Sequence, residues 1–319
     1  MDHKKVLVTA TNYSDFCMDA KRFLEAAGVE VIENPHDRPF TQEELLEIIG
    51  GIDGVVVGVD SWNDAVFDHA PRLKALARFG VGVDNIDLEA AKRHGIVVSN
   101  ARGLNSNSVA ELAAGLILSC LRNIPNFNAS TRAGKWDRFM GHDLYGMTVG
   151  LLGFGDIAQK LAKKLGGFEV NLIAYDLYPN TEKAKELGVT FCSMDEVLSR
   201  SDIVSLHLPS LEETRHIMDD EAFDKMKPGA CFVNTARGML VDETALFRAL
   251  QSGRLFAAAS DVYEQEPVST ENPLFTLENF FATPHRAADT YATYRQVGME
   301  TARALLEVFE GREPKNRLV

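Results

Sequence analysis

The sequence has little of what would staple, anchor or tether a chain. Its four cysteines, Cys17, Cys120, Cys192 and Cys231, are widely spaced and form no CxxC pair, which argues against a zinc site and against a disulfide framework. Cys120 and Cys231 sit in apolar runs and read as small buried hydrophobes. No apolar run approaches the roughly 18 residues of a membrane span. The N-terminal Val6-Leu7-Val8 is too short a core for a signal peptide, so a cytoplasmic location is expected. Basic charge is also short. Lys and Arg number 33 against 46 Asp and Glu, a net charge of -13, which removes any general attraction for nucleic acid or an anionic membrane. A local pair of arginines can still hold a small anion. Low-complexity segments, tandem repeats and Gly/Ser linkers are absent, and no residue set suggests a metal.

What is there is an alternation of short apolar strands and helices over 319 residues, a length for which two domains are the default. Strands are expected at Val6–Thr9, Val29–Ile32, Val55–Val57, Leu76–Phe79 and Ile96–Val98. Helices are expected from about Asp15 to Ala27 and, after a capping box at Thr41 and Glu44, through Ile49. A second series follows a helix at Ser108–Leu121 and a less regular, more polar stretch from Arg122 to Tyr145. Its strands are Thr148–Leu152, Val170–Ala174, Ile203–Leu206, Cys231–Asn234, Ala257–Ser260 and Phe281–Thr283. Unalternating apolar strands separated by helices mean parallel sheets covered on both faces. The fold class is α/β, with two successive doubly wound units. The last helix, from about Thr290 to Glu310, comes after the second sheet is complete and is free to return to the first.

Gly150-Leu-Leu-Gly153-Phe-Gly155-Asp-Ile-Ala158 follows a strand and opens a helix. Gly153-x-Gly155-x-x-Ala158 has the form of a dinucleotide loop: a tight turn, a close approach to pyrophosphate, and a small residue where helix meets strand. The helix N-terminus offers amides and positive dipole to the phosphates. Asp156 and Ile157 open that helix and belong to the site. The Asp156 side chain must point to solvent, or it would weaken phosphate binding. Asp176 ends the next strand, with seventeen residues between it and Ala158, where an acid bonds the ribose hydroxyls and repels a 2′-phosphate. NAD is the cofactor this pattern implies.

Three further segments lie at strand ends: Phe232-Val-Asn-Thr-Ala-Arg237-Gly238, Asp261-Val-Tyr-Glu-Gln-Glu266-Pro267, and Thr283-Pro284-His285. They emerge at the carboxyl edge of a sheet, where α/β proteins bind ligands. An arginine, a glutamate and a histidine there suit an acid/base site with a carboxylate clamp. Taken singly, each also reads as a solvated Arg, a helix-flanking Glu and a structural His.

With these segments in order, the chain resembles the D-isomer-specific 2-hydroxyacid dehydrogenases, and within them the phosphoglycerate dehydrogenase branch. The resemblance rests also on Arg78-Phe-Gly-Val-Gly-Val-Asp84-Asn85-Ile-Asp87, on Asn105-Ser-Asn-Ser-Val-Ala-Glu111 and on Asp202-Ile-Val-Ser-Leu-His207-Leu208-Pro209. It implies a Rossmann-type NAD-binding domain over 101–287 and a discontinuous, flavodoxin-like substrate domain over 1–100 and 288–319. It implies a homodimer with Arg122–Tyr145 as the arm on the partner. By the same resemblance, Arg237 holds the substrate carboxylate and carbonyl oxygen. His285, which also borders the cofactor, exchanges the hydroxyl proton, and Glu266 orients and charges it. Asp261 meets the nicotinamide carboxamide, while Leu208, Pro209, Thr235 and Ala236 line the cofactor. Gly80, Val81 and Gly82 receive the substrate carboxylate on backbone amides.

The sequence departs from the family after His285, where Arg286-Ala287-Ala288 replaces a small, glycine-rich run. It departs again in Gly58-Val59-Asp60-Ser61-Trp62, where phosphoglycerate enzymes often carry an arginine. Arg78 and Arg138 are the remaining candidate cations for a phosphate, Arg138 acting across the dimer or else a solvated loop charge. The expected activity is NAD-dependent oxidation of a D-2-hydroxy acid, 3-phosphoglycerate to 3-phosphohydroxypyruvate in serine synthesis, without feedback through an added domain. Glyoxylate, hydroxypyruvate or D-lactate are the alternatives, and an NAD-sensing binding protein of the same fold is a third.

Overall fold

The structure, a computed structural model, describes residues 3–36 and 38–319. The chain divides into two compact units. The first comprises the chain up to Asn105 together with Asp289–Val319; the second is continuous from Ser106 to Ala288.

The first unit is a five-stranded sheet in the order β2-β1-β3-β4-β5, from β1 (Lys4–Val8), β2 (Val29–Glu33), β3 (Gly54–Val57), β4 (Ala75–Arg78) and β5 (Val97–Ser99). All its pairs are parallel. The all-apolar β3 is buried throughout, as a strand covered on both faces must be. The capping box forms as read: the Glu44 amide donates to Thr41 Oγ1 and the Thr41 amide to Glu44 Oε2. The final helix, Tyr291–Phe309, packs on this sheet. At Gly54 a Cβ would come within 2.8 Å of the Phe309 ring, so glycine there makes room for the returning helix.

The expected helix at Asp15–Ala27 is in fact two, Tyr13–Phe16 and Met18–Ala26. Cys17 breaks it. Its thiol is buried against Gly298 and bonds the Tyr294 carbonyl, and its backbone leaves the helical region to bring it there.

The second unit is a seven-stranded sheet in the order β12-β11-β10-β9-β6-β7-β8. Its strands are β6 (Thr148–Leu152), β7 (Asn171–Tyr175), β8 (Val189–Phe191), β9 (Ile203–Leu206), β10 (Ala230–Asn234), β11 (Leu255–Ser260) and β12 (Phe280–Ala282). Every pair is parallel. The order reverses between β6 and β9, and that crevice is where such sheets bind ligands. Strand β8 was not foreseen, because three edge residues carry too little pattern. Within the stretch read as irregular, Ile124–Arg132 is helical. Its Asn, Ser and Thr content hides it, since these residues favour caps and turns over helix interiors. Cys120 and Cys231 are buried free thiols in this unit's core. Among the described residues no helix is long and apolar enough to cross a membrane.

Candidate active site

The glycine loop joins β6 to the helix Asp156–Leu165. Gly153 has φ +93 and donates its amide to the Tyr175 carbonyl. A Cβ on it would lie 2.7 Å from the His207 carbonyl oxygen, so only glycine lets the loop sit this low on the sheet edge. Gly155 is the helix N-cap, without a side-chain cap, and the space where its Cβ would stand is open. The first-turn amides, which no helix can satisfy internally, therefore border room for an anion. Asp156 is exposed, and Ala158 is fully buried where helix meets strand. Asp176 does more than was read from the sequence. Its Oδ2 accepts the Phe154 amide at 2.7 Å and its Oδ1 the Tyr178 amide at 2.8 Å, which ties the acid to the loop it serves.

Across the crevice, Leu152 pairs with Leu206 and Leu206 with Asn234. Gly153, His207 and Thr235 are therefore the next residues on three neighbouring strands. His207 Nδ1 and Thr235 Oγ1 are sealed from solvent and, among the described residues, have no hydrogen-bond partner. Ser205 Oγ lies 2.9 Å from His207 Nε2, and burial pushes the imidazole down to about 4. Leu208 is buried and Pro209 exposed beyond it. Open amides, a placed acid and unspent polar atoms along one edge fit a dinucleotide. Sequence reasoning included His207 in a motif without giving it a task.

The acid/base group is assembled by the next strands. His285 Nδ1 lies 2.6 Å from Glu266 Oε2, and Glu266 Oε1 accepts the Tyr263 amide. Burial pushes the Glu266 carboxyl up. The bonds from His285 and Tyr263, with the charges of His285 and Arg237, outweigh burial and hold it below the ordinary range. His285 is in the left-handed region, φ +52, its amide bonded to the Asp261 carbonyl. Arg237 follows β10, with Nη1 on the Ala236 carbonyl. At the next residue, Gly238, a Cβ would overlap the Tyr263 carbonyl. That contact brings the arginine segment against the loop carrying Glu266.

Asp261 is fully buried and braces the histidine segment. Its Oδ1 accepts from Thr283 Oγ1 and the Arg286 amide, its Oδ2 from the Ala287 amide. The Tyr263 hydroxyl shares its one proton between the Thr283 and Ser260 carbonyls, at 3.0 and 3.2 Å. Tyr263 and Thr283 both lie in segments that the sequence marks, but neither carries a task there, since backbone bracing leaves no mark in residue spacing.

In the first unit, Arg78 ends β4. Its Nε donates to the Gly82 carbonyl, its Nη1 to those of Val57 and Phe79. Reading it as a phosphate cation did not include this task. Among the described residues the amides of Val81, Gly82 and Val83 meet no acceptor, so the Gly80–Gly82 loop presents donors, as a carboxylate requires. Asp60, in the loop after β3, is buried, and its Oδ1 accepts the Phe40 amide. Arg138, in the second unit, is exposed on a segment without regular structure, and Arg286 is exposed beside His285. Among the described residues no group of side chains could hold a metal ion.

Residues 114–287 match the family model described as D-isomer specific 2-hydroxyacid dehydrogenase, NAD binding domain. The chain is 43% identical over 318 residues to D-3-phosphoglycerate dehydrogenase of Methanocaldococcus jannaschii, covering 98% of this chain and 59% of that protein. It is 41% identical over 288 residues to hydroxypyruvate reductase of Thermotoga maritima, covering 87% and 93%. Among solved structures, a protein from Thermus thermophilus superposes with TM-score 0.91 at 36% identity, over 99% of this chain and 100% of that one. The chain thus spans between half and three-fifths of the phosphoglycerate dehydrogenases it matches.

Proposed function

The chain belongs to the D-isomer-specific 2-hydroxyacid dehydrogenases and uses NAD, and from that premise we propose that it interconverts a small D-2-hydroxy acid and its 2-oxo acid, 3-phosphoglycerate first among them. In this reading the continuous unit holds NAD and the discontinuous unit carries the substrate loop. Bound NAD supplies the hydride acceptor. The observation that carries the reading is the 2.6 Å contact of His285 Nδ1 with Glu266. A carboxylate can only accept, so Nδ1 carries its proton and Nε2 is left with a lone pair. Nε2 takes the hydroxyl proton during oxidation and returns it during reduction, while Glu266 stabilises the imidazolium. Arg237 holds the carboxylate and the reacting oxygen with its planar fork, and the loop at Gly80–Gly82 offers amides of the kind a carboxylate takes.

The test is a panel of 2-hydroxy and 2-oxo acids read by NADH absorbance, with His285→Ala as the control. Turnover of 3-phosphoglycerate well above glycerate and lactate supports the reading. Turnover of none overturns it.

A second reading, reduction of hydroxypyruvate or glyoxylate, is favoured by one observation. Asp60, not a cation, occupies the loop after β3, and Arg78 is engaged with backbone carbonyls. The same panel separates the two.

We also propose a homodimer built on the continuous unit. Ile124, Trp136, Met140 and Tyr145 cluster in sequence on the 124–145 segment and are exposed, Trp136 by 82% and Met140 by 90%, a density of bare apolar side chains that a partner would cover.

A further inference from the structure

The loop after β4 is unusual in how its backbone is spent. The Phe79 carbonyl accepts from Arg78 Nη1 at 2.8 Å, and the Gly80 carbonyl from the Ala101 amide at 2.8 Å. The Val81 carbonyl accepts from Asn100 Nδ2 at 2.8 Å, the Gly82 carbonyl from Arg78 Nε at 2.9 Å. Four consecutive acceptors are thus claimed. Gly80 has φ +153, and a Cβ on it would press on the Arg78 guanidinium at 3.2 Å, so the cation lies directly beneath the turn. Its own amide folds back on the Arg78 carbonyl. What remains unspent in the loop is the run of amides at Val81, Gly82 and Val83. Consecutive free N–H groups with their carbonyls turned away make an anion nest. The nest does not hold itself in shape, because Gly80 and Gly82 carry no side chains to lock their dihedrals.

We infer that Arg78 and Asn100 are positioning residues that act through this loop: by holding its carbonyls they aim its amides at the substrate carboxylate. Arg78 contributes a fork whose donors fit two carbonyls at once, and a positive charge behind the amides. Asn100, nearly buried, contributes the donor for Val81, and its own Oδ1 is fixed by the Arg102 amide. The inference rests on the proposed activity toward 2-oxo acids.

The probe is glyoxylate, which has a carboxylate and a reacting carbonyl but no tail to be bound elsewhere. Arg78→Lys keeps the charge and loses the fork; Asn100→Ala loses one donor. Each should raise KM for glyoxylate about tenfold, the worth of misplacing one or two charge-assisted bonds. The loss of kcat at saturation should be less than about threefold, with the dissociation constant for NADH within about twofold. The double variant should raise KM by less than the product of the two, since both act on one loop. A lower melting temperature with unchanged KM would make both residues merely structural and overturn the inference. Should either variant fail to fold, the wild-type chain decides. Oxalate added to the NADH complex should shift the backbone amide resonances of Val81, Gly82 and Val83, and unmoved resonances overturn the inference. A wild-type chain that reduces no 2-oxo acid refutes the proposed activity instead, a distinguishable failure.

Discussion

Asp176 and Phe154 stand at the ends of adjacent segments, and the carboxylate of the first accepts the amide of the second at 2.7 Å. The acid that would meet the ribose is therefore fastened to the loop that would meet the pyrophosphate, and neither can be altered without disturbing the other.

A 2′-phosphate would have to approach this anchored carboxylate, and the residues that follow, Leu177, Tyr178 and Pro179, offer no cation. The kcat/KM with NAD should exceed that with NADP by at least about tenfold, the cost of one unscreened like-charge contact. Asp176→Ser should narrow the ratio and also weaken NAD, because the Phe154 amide loses its acceptor. Equal kcat/KM for the two cofactors in the wild type would count against the assignment of Asp176.

His285→Ala should leave almost no turnover. In Glu266→Gln the imidazolium loses its anion, so the acid limb of the oxidation profile should move to lower pH. Glu266 is held below the ordinary carboxylate range, so in the wild type the pair should stay intact as pH falls to that range and come apart only beneath it. A limb that does not move in Glu266→Gln means that the glutamate is not the partner of the histidine in solution.

His207 sets an acid limit on folding. Its imidazole is pushed down to about 4 by burial, so the folded chain stays neutral there while the unfolded chain takes up a proton near pH 6.5. The stability is complete above that value and drains away as pH falls from about 6.5 to about 4, on the order of 3 kcal/mol in all. Urea unfolding of wild type and His207→Gln at pH 7 and pH 5 reads the difference. Identical losses in the two proteins would rule the histidine out.

Gly238→Ala should destabilise by about 2–3 kcal/mol, because the added methyl has only the Tyr263 backbone to push against. Activity should fall further than stability explains, since Arg237 and Glu266 flank the displaced contact. Wild-type thermal unfolding together with wild-type turnover would mean the two segments are not packed as described.

If a phosphorylated acid is the substrate, Arg138 is the cation to examine. Replacing it by Ala should raise KM for 3-phosphoglycerate at least roughly tenfold and leave an unphosphorylated acid nearly unchanged. Mixed dimers of Arg138→Ala and His285→Ala chains test whether it works across the proposed interface. In such a dimer the site with an intact histidine borrows its arm from the chain that keeps Arg138, and it should show the wild-type KM. The weakened KM there would place the arginine in its own subunit or nowhere near the phosphate.

Much of this molecule is legible in its sequence, and the legible parts share a cause. Strands buried on both faces are written as unbroken apolar runs, and the glycine loop is written because close backbone approaches exclude side chains. Arg237, Glu266 and His285 stand out only together, in three segments that follow strands of one sheet; taken singly, each also reads as a solvated or structural residue. Strand β8 and the Ile124–Arg132 helix were missed because short edges and cap-forming residues carry weak periodicity. The tasks of Asn100, Tyr263 and Thr283 were missed for another reason. Each bonds a backbone carbonyl or a distant carboxylate, and such partners belong to the fold and not to any local pattern. Arg78 shows the limit from the other side: an arginine beside a glycine loop looks like a ligand for an anion, yet its donors turn to the chain itself.

The first unit is closed by a helix encoded long after its last strand, with Leu305 and Phe309 filling the space left at Gly54. On the ribosome this has an order of events built into it. The continuous unit is complete in the nascent chain, and free to fold, once Ala288 has emerged. The five strands must wait, one apolar face covered only in part by the helix Met18–Ala26, until Phe309 clears the exit tunnel. For that interval the unit encoded in the middle of these residues can already be folded while the strands that precede it are not, and those strands are the ones in need of a chaperone.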